Sequence, residues 1–357
     1  MSECRFFIPG PTWVRPELLQ EMTRPMIGHR SAEFRDLFLR ITTNLKPLFN
    51  TTQDTLVATC TGTALLEAAL VNSVQRRVLV TTCGAFSERW HSIAGSLGLE
   101  VDQLDAGWGK AIDPDQLRTH LRSRHGHYDV VTLTHNETST GLTNDIATLS
   151  RVIRDESPEA LILVDAVSSL GGIPLRFDEW GLDICIASVQ KGLALPPGIT
   201  VFALSANALT RANSIARRGT YLDFLSYKKH ADDGSVPTTP AVPLFYALAG
   251  QLERIVKQET LDARFQRHLA MRDLTIRRTA SYARLASDPS HASPTVTALI
   301  PQRPVEEIKS EMKTRGFTLG GGYGLWKQST FRIGHMGDMS VEDVSAMLDA
   351  LEEVAGS

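Results

Sequence analysis

The sequence predicts an α/β fold: a mostly parallel seven-stranded sheet in a large domain, helices on both of its faces, and a smaller α+β domain toward the C-terminus. Two observations carry this expectation. Seven short apolar runs rich in β-branched residues fall between Thr55 and Leu204 and alternate with stretches of helical periodicity, the pattern of a parallel sheet buried by crossover helices. Beyond about Gly250 the pattern changes to longer, Arg-rich helical stretches separated by isolated strand-like runs. A chain of 357 residues, 42% hydrophobic and 22% charged, is large enough for both domains and is neither disordered nor fibrous.

In chain order the strand candidates are 55–59, 77–82, 101–104, 130–133, 161–164, 184–188 and 200–204. Segments 64–74 and 87–97 place apolar residues at helical spacing and read as crossovers. A long helical stretch is expected over 251–285, then a strand at 295–300, a helix at 305–315, a strand at 330–333 and a closing helix at 340–354. Residues 235–243, with Pro237, Pro240 and Pro243, form the most linker-like stretch. These readings give an N-terminal segment at 1–15, a large domain at 16–250 and a small domain at 251–357. The run Gly320–Gly324 does not open a βαβ unit, so it reads as a flexible turn or an active-site flap rather than a nucleotide loop.

Composition narrows the function. With 37 Lys+Arg against 40 Asp+Glu the net charge is -3, which offers no basic field for nucleic acid. No run approaches the roughly 18 apolar residues of a membrane span. The four cysteines (Cys4, Cys60, Cys83, Cys185) show no CxxC spacing, so neither a disulfide framework nor a metal site is expected. The N-terminus lacks a basic segment followed by an apolar core, and a cytoplasmic enzyme is the expectation.

The chemistry concentrates in 161–198, where two apolar runs each deliver polar residues at their C-terminal ends, the edge at which open parallel sheets bind ligands. Asp165 ends the first run and Lys191 follows the second. Asp165 also reads as a helix cap, and Lys191 as a solvated residue before a Pro-Gly turn. Small and apolar residues surround both, however. A partly desolvated amine loses its proton more readily and becomes a nucleophile toward carbonyls. Thr61, Gly62 and Thr63, opening the apolar helix at 64–74, form either an N-cap or an anion cradle, and the two are compatible.

Eight stretches bear on identity: PGPTWV (9–14), MIGHRSAEF (26–34), CTGTALLEAAL (60–70), THNETSTG (134–141), DAVSSLGG (165–172), SVQKGLALPPG (188–198), TTPAVPLFYAL (238–248) and FRIGHMG (331–337). Together they closely resemble the class V aminotransferases, the group containing alanine:glyoxylate and serine:glyoxylate (serine:pyruvate) aminotransferases. The resemblance implies a fold-type I enzyme that uses pyridoxal 5′-phosphate (PLP). It further implies a homodimer with shared active sites, and a ping-pong transfer from alanine or serine to glyoxylate or pyruvate.

Carried over residue by residue, the resemblance makes Lys191 the Schiff-base lysine and proton carrier, with Asp165 pairing with the cofactor's ring nitrogen. It assigns the phosphate to Thr61, Gly62, Thr63, Gln190 and, from the neighbouring subunit, Thr239. Phe86 is expected to stack on the ring, Val167 to pack against its other face, and Thr138 to contact it. Arg332 is expected to grip the substrate carboxylate through two parallel hydrogen bonds, with Gly10 and Pro11 lining the same mouth. His135 reads as a hydrogen-bonded structural histidine, and no catalytic role is assigned to His29 or Arg30. A 2-aminoethylphosphonate transaminase is the nearest alternative. A desulfurase needs a mobile nucleophilic cysteine, and Cys185 falls in an apolar strand. A dehydrogenase lacks its GxGxxG turn, and a non-catalytic α/β protein would have no use for Lys191, Asp165 and Arg332 together.

Overall fold

The computed structural model describes residues 5–123 and 128–356; Cys4 lies outside them. The larger sheet has seven strands in the spatial order Asp54–Ala58, Thr200–Leu204, Ile184–Ser188, Leu161–Asp165, Val130–Thr134, Arg77–Thr82 and Glu100–Asp105. Every strand runs parallel except Thr200–Leu204, which is antiparallel to both neighbours. Each of the seven runs read from the sequence is a strand of this sheet.

Alternation along the strands divides the core into two layers. Val57, Leu79, Val131, Ile162 and Val164 face one layer of helices. Leu56, Val78, Val80, Leu163 and Ile186 face the other. Burying each such side chain contributes roughly 1.5–3 kcal/mol, so register is fixed from both faces at once. The outer strand Glu100–Asp105 is polar and partly exposed, as an edge that must resist further pairing should be.

The second sheet has five strands in the order Arg5–Phe7, Phe317–Gly321, Phe331–Gly334, Val296–Pro301 and Ala283–Leu285. Its apolar face packs on helices Leu261–Thr279, Val305–Thr314 and Val341–Ala355 through Met271, Ile308, Met312, Val344 and Leu351. Arg5–Phe7 runs parallel to Phe317–Leu319, so the N-terminal segment belongs structurally to this sheet before it reaches the site.

Two expectations need correction. The helical stretch expected over 251–285 is broken: helix Val242–Glu253 passes into a π-helical turn, Arg254–Glu259, and a new helix begins at Leu261 and ends at Thr279. Thr260 causes the break, because it adopts a positive φ of 69° and its hydroxyl caps the new helix by accepting from the Ala263 N–H. The glycine run is partly a strand, with Gly320 opposite Arg332 and Gly321 opposite Phe331. Glycine is needed there for close approach, since a Cβ on Gly320 would stand 2.6 Å from Pro9 Cδ and one on Gly322 would stand 2.1 Å from the Trp326 carbonyl oxygen.

Candidate active site

Five parallel strands end at the same edge of the large sheet, and the segment after each delivers part of one cavity. Asp54–Ala58 leads to Thr61–Thr63, Arg77–Thr82 to Phe86, Val130–Thr134 to Thr138, Leu161–Asp165 to Asp165 itself and Val167, and Ile184–Ser188 to Gln190 and Lys191. The cavity encloses about 170 Å³. All nine of those sequence-predicted residues line it.

Lys191 Nζ donates to the Pro9 carbonyl oxygen at 2.7 Å. Gly10 makes this approach possible: its φ of +114° is open to glycine, and a Cβ there would stand 2.5 Å from Nζ. The Thr12 backbone N–H and hydroxyl in turn hold the carbonyls of Gln190 and Lys191, at 3.1 and 3.2 Å. Gly10 therefore abuts the lysine directly, whereas Pro11 is exposed beside it.

Burial pushes the Lys191 amine down to about 8, with the Arg332 charge adding to the effect and Asp165 opposing it. Asp165 is pushed up to about 6, chiefly by burial, against the Val167 N–H that donates to its Oδ1 at 2.8 Å. The pair thus sits in an environment where an additional cation near Asp165, or conversion of the lysine to a neutral form, is favoured.

Arg332 is buried, and desolvation lowers its pKa to about 10. Its Nε donates to the Gly321 carbonyl at 2.8 Å and its Nη1 to the Thr138 carbonyl at 3.1 Å, so the guanidinium is fixed between the smaller sheet and the loop that carries Thr138. Among the described residues its Nη2 has no acceptor. Thr138 hydrogen-bonds Ser168 through its hydroxyl at 2.7 Å. The Phe86 ring stacks on Tyr323 at 5.2 Å between centroids and also carries the Arg89 guanidinium at 4.9 Å. Any third group stacking on Phe86 must displace one of these. Thr239 is exposed and does not line the cavity of its own chain.

The residues present suit the phosphorylated aldehyde that the sequence resemblance implies. Thr61 Oγ1 caps helix Gly62–Ser73 by accepting from the Ala64 N–H at 3.3 Å, leaving the first N–H groups and the positive end of the helix for an anion. A Cβ on Gly62 would fill the cradle, standing 2.6 Å from Ser188 Oγ. That Ser188 hydroxyl is buried, lines the cavity and has no hydrogen-bond partner, an orphan whose cost is relieved by a polar ligand.

The family model of aminotransferase class-V matches residues 17–322. The chain belongs to the class V aminotransferases. This aminotransferase is 37% identical to a protein named soluble hydrogenase, small subunit, of Synechococcus, over 99% of this chain and 93% of that one. It is 33% identical to the serine--glyoxylate aminotransferase of Methylorubrum extorquens, over 94% and 86%. Its fold matches the aspartate aminotransferase of Thermus thermophilus with a TM-score of 0.89 at 32% identity, covering 98% of this chain and 99% of that one.

Several residues that build or line the aminotransferase's cavity escape a reading of its sequence. Glu137, fully buried, accepts from the backbone N–H groups of Phe86, Ser87 and Ser139 and from the hydroxyls of Ser87 and Ser139. It thereby anchors helix Ala85–Ser96, which presents Phe86, to the loop that presents Thr138. Asn136, Ser168, Ser188 and Arg89 also line the cavity. Ser188 was legible by the same strand-end rule that exposes Asp165. His135 is buried but its Nδ1 lacks the hydrogen bond expected of it; the ring packs edge-on against Trp180 at 5.8 Å, and burial lowers its pKa to about 4.

Proposed function

We propose that the enzyme binds PLP in the cavity between Thr61 and Lys191 and moves the amino group of a small amino acid, serine or alanine, to glyoxylate or pyruvate in two half reactions of a ping-pong cycle. The observation that carries this reading is a buried lysine amine enclosed with Asp165 in one cavity that opens on the N-terminus of helix Gly62–Ser73.

When bound, the cofactor supplies an aldehyde that condenses with amines and a ring that accepts the electron pair released at the substrate Cα. Lys191 is partly unprotonated at neutral pH, so its Nζ could attack a carbonyl carbon and, when not covalently engaged, would be placed to take a proton from the substrate Cα and return it. The Asp165 carboxylate would keep the ring nitrogen protonated, with Val167 beside it. Gly62, Thr61, Thr63 and Gln190 would hold the phosphate, joined by the partner subunit's Thr239. The Nη2 side of Arg332, free of protein acceptors, takes the substrate carboxylate, while Gly10 and Pro11 bound the entrance.

A homodimer with shared active sites is part of the reading. Thr239 is exposed, and so are the apolar side chains of Leu19, Met26 and Leu39 in the N-terminal helical region. The cysteines among the described residues are unpaired, and no helix of the described residues is long and apolar enough to cross a membrane; we assign the enzyme to the cytoplasm.

The test is borohydride reduction of the PLP-loaded protein followed by peptide mapping. The pyridoxyl label is expected on Lys191, and a label elsewhere or none overturns the assignment. A screen of serine, alanine and aspartate against glyoxylate, pyruvate and 2-oxoglutarate then fixes the substrates. Aspartate belongs in the screen because the Thermus relative acts on it.

A further inference from the structure

Arg89 has no part in the roles assigned so far. It lies three residues after Phe86 in helix Ala85–Ser96, on the same face, and it lines the same cavity. Its Nη1 donates to Thr63 Oγ1 at 3.0 Å and its guanidinium covers the Phe86 ring. Among the described residues no carboxylate lies within ion-pair distance of it, although its charge reaches both Asp165 and Lys191. A half-buried guanidinium with only a hydroxyl and a ring for company retains most of its demand for an anion.

The end of the cavity beside it is otherwise furnished with neutral donors: the N–H groups that open helix Gly62–Ser73, the Thr61 and Thr63 hydroxyls, and the orphaned Ser188 hydroxyl. The lining holds two cations, Arg89 and Lys191, and the lysine is committed to carbonyl chemistry. A phosphate carries between one and two negative charges near pH 7, more than neutral donors alone balance.

We propose that Arg89 is the charged ligand of the cofactor phosphate, closing the cradle opposite Gly62. The guanidinium leaves the face of Phe86 for the phosphate oxygens. Thr63 Oγ1 accepts from Arg89, so its own proton remains available to the same anion. This inference rests on the PLP reading above and adds to it a specific cation for the phosphate.

The experiment compares two probes that differ only in the phosphate. Apoproteins of the wild type, Arg89→Met and Arg89→Lys are titrated with PLP and with pyridoxal, following the quenching of tryptophan fluorescence. The Met variant is expected to bind PLP roughly 10- to 100-fold more weakly while its affinity for pyridoxal stays within about twofold, and the Lys variant to recover most of the loss. Equal weakening of both probes, or unchanged PLP affinity, overturns the proposal. So does a rise in the KM of the amino donor with PLP binding intact, which reassigns Arg89 to the substrate. Failure of the wild type itself to bind PLP removes the cofactor reading and this inference with it, whereas wild-type binding matched by Arg89→Met removes the role of Arg89 alone.

Discussion

Lys191 is governed by three influences of the same sign, its burial and the charges of Arg332 and Arg89. All three disfavour its ammonium form and bring its pKa to about 8, while Asp165 pulls the other way. The amine that attacks a carbonyl is the unprotonated form, so covalent capture of PLP by the apoprotein should accelerate about tenfold per pH unit up to pH 8 and level off above it. Arg332→Gln removes a cation and must raise the lysine pKa. Stopped-flow capture rates should therefore show the profile displaced to higher pH and a slower reaction at pH 7; a profile that stays in place contradicts this electrostatic account. Asp165 and Lys191 were legible in the sequence because one ends and the other follows an apolar β-run, at the sheet edge where ligands bind and among small and apolar neighbours. Arg89 was not, because an arginine in a helix ordinarily reads as solvated surface, and only the position of Thr63 reveals what it faces.

Helix Ala85–Ser96 illustrates how an element is placed by a residue outside it. Its N-terminal N–H groups at Phe86 and Ser87 are satisfied by the Glu137 carboxylate, which arrives from a different strand and also holds Ser139. Glu137→Ala leaves several buried donors without an acceptor and should destabilise the protein by roughly 3 kcal/mol, read as a lower denaturant midpoint. Glu137→Gln, which keeps an acceptor oxygen, should lose less. The strands of the large sheet other than the polar edge Glu100–Asp105 were readable because each is a short, mostly apolar run bounded by turn residues. Strand Phe317–Gly321 was not: two of its five residues are glycines, which carry no β signal, and its pairing partner Arg5–Phe7 lies at the far end of the chain. The break at Thr260 was equally hidden, because it depends on a single backbone angle rather than on hydrophobic pattern.

Across the whole molecule, helix Leu261–Thr279 is tied by buried charge to the loops that follow the strands of the large sheet. Arg264 and Asp338 pair at 3.0 Å with both side chains fully buried, and Arg264 also donates to the carbonyls of Gly171 and Gly192, the latter adjoining the lysine. Arg254 and Arg15 bind the same Asp338 carboxylate. Removing one member strands the other charges, so Arg264→Met should cost about 3–5 kcal/mol. Thermal unfolding should register that loss, and PLP retention should fall with it as the Lys191 loop loosens. The sequence showed an Arg-rich region here, but where the arginines converge depends on the break at Thr260 and on the return of the chain to Asp338. The strand Arg5–Phe7 brings a consequence of its own for synthesis. Arg5–Phe7 must wait, unpaired, until more than 300 later residues have been made before its partner strand exists. The carbonyl of Pro9 that meets the lysine amine is tethered to that strand, so this wall of the cavity cannot settle until the chain has been made through Leu319.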